Sequence, residues 1–163
     1  MTEEVRDINF RELNTPSVDF LMLADRAEAL NGKLYMMGGA WDRYTVASFE
    51  APISISFAIG ILVPWNATDD EHALRVTIEH TDRVEPPLFG LDAGFKTGRP
   101  PLAIRGQQQR AVLALPAAPV KFPSAGTYEA VAQINGEEKK RVAFYLVDAN
   151  APLVRPTPPT PPA

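Results

Sequence analysis

A chain of 163 residues fits one domain and is long enough to bury a sizeable core. Its 45% hydrophobic and 22% charged residues are an ordinary globular composition, and the absence of cysteine excludes disulfides and thiolate metal sites. A formal net charge of −4 argues against nucleic acid or an anionic membrane surface as the main partner, because such binders carry a basic excess that neutralises phosphates.

Residues 1–16 are polar and without period, and read as an N-terminal extension. The acidic start has no apolar run of the kind a secretory signal needs, so a cytoplasmic location is expected. The apolar stretches at 20–24 and 57–65 are far shorter than the roughly 18 residues of a membrane span. The sequon Asn66-Ala67-Thr68 is then a chance match.

Residues 18–24 read as a strand buried on both faces. Residues 25–30 are good helix formers but too few for a stable helix, and read as a distorted strand end or a single turn leading into Asn31-Gly32. Residues 33–37 return as a strand, broken by Gly38-Gly39. The strongest signal follows. Ile53, Ile55, Phe57, Ile59 and Ile61 alternate with Ser54, Ser56, Ala58 and Gly60, a period of 2 that no helix satisfies. The large residues enter a core, and the small ones suit a crowded or a solvated face.

Leu74, Val76 and Ile78 alternate with Arg75, Thr77 and Glu79, the pattern of a half-buried antiparallel strand. Residues 89–95 alternate more weakly because of their glycines. Residues 111–115 are apolar on both faces, as in a central strand, and stop at Pro116.

The last hairpin admits a parity argument. Tyr128, Ala130, Ala132 and Ile134 carry the core face of one strand, and Val142, Phe144 and Leu146 that of its return. A two-residue Asn135-Gly136 turn would set even against odd positions and turn one apolar face outward. A three-residue loop, Ile134-Asn135-Gly136 with a G1 bulge, is expected instead, placing Tyr128 opposite Val142. These elements predict an all-β fold, an antiparallel two-sheet β-sandwich of immunoglobulin or fibronectin type with about 7–9 strands over residues 17–148. Residues 149–163 form a proline-rich tail suited to polyproline II and not to a core.

The runs Phe20-Leu21-Met22-Leu23-Ala24-Asp25, Asn31-Gly32-Lys33-Leu34-Tyr35 and Gly38-Gly39-Ala40-Trp41-Asp42 resemble the opening of an uncharacterised bacterial family, a domain of unknown function. The resemblance continues through residues 49–61 and ends in Pro123-Ser124-Ala125-Gly126-Thr127-Tyr128 and the final hairpin, covering roughly residues 17–148. It supports the β-sandwich fold and implies no catalytic residues.

No constellation carries chemistry. His72 and His80 flank one strand and are held roughly 26 Å apart at 3.3 Å per residue, too far to share a metal. Asp69-Asp70-Glu71 lacks the spaced ligands and internal glycine of a calcium loop. No serine sits in a nucleophile elbow, no pair of carboxylates is singled out, and there is no phosphate-binding glycine loop. Catalytic, metal and cofactor residues are therefore expected to be none.

Two surfaces remain. Gly38, Gly39, Trp41, Asp42 and Tyr44 form a loop whose glycines allow close backbone approach and whose aromatics suit a binding site; the competing reading is a bulge with Trp41 in the core. Val131, Ala143, Tyr145 and Val147 share the outward face of the last hairpin and are more apolar than a solvated face requires. Glu137-Glu138-Lys139-Lys140-Arg141 reads as a charged tip that discourages edge pairing. The expected function is a non-enzymatic protein-interaction or assembly module, its partner a protein or a second copy. The alternative is a small-molecule or carbohydrate binder using the Trp41 loop; a hydrolase ranks last.

Overall fold

A computed structural model of the chain describes residues 14–81 and 86–152. The proline-rich end of the chain, from residue 153, and residues 1–13 of the expected extension lie outside the described residues. Nine strands are present among those described. One sheet holds β1 (Ser17–Leu30), β2 (Lys33–Gly39), β4 (Ser56–Val63) and β7 (Gln109–Pro116), in the order β2-β1-β4-β7. The other holds β3 (Arg43–Val46), β5 (Glu71–His80), β6 (Phe89–Lys96), β8 (Gly126–Ile134) and β9 (Glu137–Asp148), in the order β3-β9-β8-β5-β6.

The odd residues of the Ile53–Ile61 alternation build the core. Phe57, Ile59 and Ile61 of β4 join Leu21 and Leu23 of β1, and face Leu74, Val76 and Ile78 of β5 with Tyr128 and Phe144 of β8 and β9. The regular strand starts only at Ser56, because Ile53 leaves the sheet to bridge Val120. The small even residues are buried as well. Ala58 lies with Ala24 and Ala27 in a second cluster, covered by Met22, Leu34, Met36 and Ala114. The four-stranded sheet therefore curls, bringing β2 over the outer side of β4 and β7. Smallness at these positions permits the curl: a methyl group at Gly60 would overlap the Phe20 ring.

Several expectations from sequence are corrected here. The fold is mixed and not purely antiparallel, since β3 runs parallel to β9. β7 is an edge strand and not a central one. Its two apolar faces are explained by the curl: Leu113 and Leu115 pack on the main core while Ala114 packs on the second cluster. Of the two readings of residues 25–30 the strand end holds and the single turn does not: β1 continues to Leu30, with Arg26 to Leu30 paired to β2. Cross-strand pairing overrides the helix preference of six residues, as tertiary context commonly does.

The β8–β9 hairpin keeps the shared core face by a different device. Ile134 pairs with Glu137 across a two-residue turn, with Asn135 at φ 51° and Gly136 at φ 84°, the type I′ geometry that matches strand twist. A bulge then falls where Gln133 pairs with Glu138 but Ala132 pairs with Lys140. The bulge restores parity, so Tyr128 sits opposite Phe144 and not Val142.

Candidate protein-docking surface

β4 ends where Ser56 pairs with Ala24, yet β1 runs on for six more residues. Over that stretch its pairing is with β2 alone: Arg26 with Met37, Glu28 with Tyr35, Leu30 with Lys33. The result is a two-stranded arm closed by Asn31-Gly32. Directly opposed residues share a face, so Ala27, Ala29, Leu34 and Met36 lie on one side and Arg26, Glu28, Leu30, Lys33, Tyr35 and Met37 on the other. Ala27, Leu34 and Met36 belong to the second cluster. The opposite side is open to solvent, with Leu30 61%, Tyr35 54% and Met37 70% exposed.

Where β4 stops, a groove of about 800 Å³ opens between the arm and β7, lined by Ala27, Ala29, Leu30, Val112, Ala114 and Pro116 among others. Along it, the edge of β1 that β4 covers elsewhere has no strand partner among the described residues. A distorted strand end or single turn, the reading the sequence allows for residues 25–30, gives no sign of this surface. The signal available was the alternation of Lys33, Tyr35 and Met37 with Leu34 and Met36 beyond an Asn-Gly turn, which implies an equally long partner strand.

The sequence-derived loop residues are placed in two directions. Gly38 and Gly39 end β2 against Asp25 and Met36. Trp41 is half-buried on the main core, its ring 6.0 Å from Phe144 and 5.3 Å from Tyr44. Its indole N–H is buried without a hydrogen-bond partner among the described residues. Asp42 is exposed, and its carbonyl accepts a hydrogen bond from the Tyr145 amide at 2.7 Å.

On the face expected to be an interface, Ala143 and Tyr145 are exposed and Val147 is half-buried. Val131 is 0% exposed. Its neighbours in register are Thr77 and Arg141, and the Arg141 guanidinium reaches Glu79, Glu129 and Glu138. An ion-pair canopy therefore covers the apolar position. The Arg43 guanidinium lies over the Tyr145 ring, 5.6 Å from its centre.

Arg141 makes a pH prediction. Its hydrogen bond holds the Glu138 carboxyl below the ordinary glutamate value, with partial burial opposing. A depressed carboxyl contributes stability that is present above its unfolded value and lost as pH falls through its folded value. Because the pair is largely exposed, the whole contribution is under about 1 kcal/mol. Denaturant melts of wild type and Arg141→Met should differ at neutral pH and converge below the carboxylate range. A gap unchanged by acid would show that the arginine acts only by covering Val131.

His72, expected at a strand end, is there but buried. Its Nε2 donates to the Ala67 carbonyl at 2.8 Å, and its Nδ1 accepts from Asn135 Nδ2 at 3.1 Å. Asn135 Oδ1 in turn accepts from the Ala73 amide at 2.9 Å. His72, Ala73 and Asn135 line an open concavity of about 690 Å³ together with the Arg75–Asp92 ion pair. Both ring nitrogens are committed to structural bonds, and no serine or threonine lines the concavity beside them. Among the described residues no group of three His, Asp or Glu is placed to hold a metal ion, and no helix is long and apolar enough to cross a membrane.

The fold and the arm define an all-β domain of two curled sheets with a projecting β-hairpin. Residues 19–147 match the model of a family of unknown function, DUF6941, and the chain belongs to that family. A search of curated proteins finds no match. Among solved structures the chain is similar to a Pseudomonas fluorescens alkylpurine DNA glycosylase, AlkC, bound to DNA containing an abasic site analog. The identity is 11% and the TM-score 0.43, over 85% of this chain and 33% of that one, so the chain spans about a third of that protein's length. The exclusion of nucleic acid drawn from net charge is withdrawn, because a total of −4 averages over the whole surface and describes no single face. The likeness assigns this chain no nucleic-acid surface.

Proposed function

We propose that this chain is a non-enzymatic protein-interaction module that docks through the β1–β2 arm. The observation that carries the reading is the six-residue overrun of β1 beyond β4, which leaves a sheet edge without a strand partner among the described residues, beside exposed Leu30, Tyr35 and Met37. Unpaired edges with apolar flanks are templates for strand addition, and isolated monomers normally blunt them. The two sheets are read, within the same proposal, as an immunoglobulin-like sandwich. Support comes from Tyr128, whose hydroxyl donates to the Ser124 carbonyl at 2.7 Å, as the tyrosine corner of such sandwiches does.

The test replaces Tyr35 by a photo-crosslinking phenylalanine analogue in the full chain, expressed in cells. A saturable protein adduct that disappears on Met37→Glu is the expected result. No adduct, or one indifferent to Met37→Glu, would overturn the reading.

A further inference from the structure

The bare edge beside the arm carries a charge pattern that selects its own partner. Resting on the reading of the arm as a docking surface, we infer that residues 25–29 pair with the same edge of a second copy. The two strands run antiparallel about a two-fold axis at Ala27.

Register follows from charge. A two-fold axis normal to the sheet keeps the exposed faces of both arms on the same side and passes through a residue of the strand. Centred on Arg26 it sets two arginines face to face, and centred on Glu28 two glutamates. Like charges directly opposite destabilise a sheet. Centred on Ala27, Arg26 lies opposite the second copy's Glu28 and Glu28 opposite its Arg26. The small side chains of Ala27 and Ala29 allow the two edges to approach. Within one chain Arg26 and Glu28 already form an ion pair on the exposed face, so the four charges close into one alternating group. The pairing stops at Asp25 and Ala29, because Ala24, the residue Leu30 would face, already pairs with Ser56 of β4. The charges of Arg26 and Glu28, which would blunt this edge against an unrelated strand, are set against opposite charges in this register.

The experiment is sedimentation equilibrium of the full chain, of Arg26→Glu, of Glu28→Arg, and of an equimolar mixture of the two variants. All positions are exposed, and circular dichroism verifies that each variant folds. Wild type should dimerise with rising concentration, and each single variant should self-associate on the order of tenfold more weakly. The mixture should recover dimer, because both like-charge contacts become opposite-charge contacts in the mixed pair. The internal Arg26–Glu28 pair is broken in both variants, so recovery cannot come from it. A monomer at every concentration, or a mixture no stronger than its components, overturns self-pairing. If the chain is monomeric and position 35 still crosslinks to a different protein, self-pairing fails while the interaction reading stands. If the chain is monomeric and position 35 gives no adduct, both fail.

Discussion

Replacing Tyr128 by alanine is expected to cost about 3–5 kcal/mol of stability, the range for emptying a buried aromatic site. Tyr128 is fully buried where both sheets meet. Its ring meets Phe122 edge-on at 4.9 Å, His80 edge-on at 4.8 Å, and stacks on Phe144 at 5.9 Å. None of these neighbours sits beside it in sequence, so removing the ring loosens β5, β8, β9 and the segment before β8 together. Tyr128→Phe separates packing from hydrogen bonding. It keeps the ring but leaves the Ser124 carbonyl without its donor, a loss of about 1–2 kcal/mol. Urea denaturation of the two variants should give this ordering with a similar slope. Equal losses would show that the corner hydrogen bond, and not the aromatic cluster, holds this end of the fold.

Tyr128 also shows how far the sequence can be read. Its place on the core face was legible, because alternation in β8 and in β9 falls on even positions in both strands. Its partner was not. Parity says only that one extra residue must be absorbed somewhere, and a bulge beyond the turn does this as well as a longer turn. The choice depends on twist, which favours the type I′ turn at Asn135-Gly136 and moves the irregularity to Lys139. The arm was hidden for a related reason. Residues 25–30 have helical preferences, and only the pairing with β2 makes them strand. Val131 marks a third limit: its outward direction was legible, but not the ion pairs from β5, β8 and β9 that cover it.

His72 was legible as a residue flanking β5 and illegible as a structural bond, because Ala67, Ala73 and Asn135 meet it only through the fold. Its geometry fixes the ring's tautomer. Asn135 Oδ1 is held by the Ala73 amide, so Asn135 presents its Nδ2 donor to His72 Nδ1. The proton of the ring is then on Nε2, facing the Ala67 carbonyl. The set ties the β8–β9 turn to the start of β5, and the Asn135 amide adds a further bond to the Ala73 carbonyl at 2.8 Å. His72→Leu keeps bulk but strands a carbonyl and an amide donor, an expected cost of about 2–4 kcal/mol. Asn135→Gly keeps the left-handed turn and removes the same network from the other side. If the bonds act as one unit, the double variant loses clearly less than the sum of the singles, by about 1 kcal/mol or more. Hydrogen exchange at the Ala73 amide should accelerate in each single variant. Additive losses, with Ala73 exchange unchanged in His72→Leu, would reduce His72 to a space-filling residue and leave the turn held by backbone bonds alone.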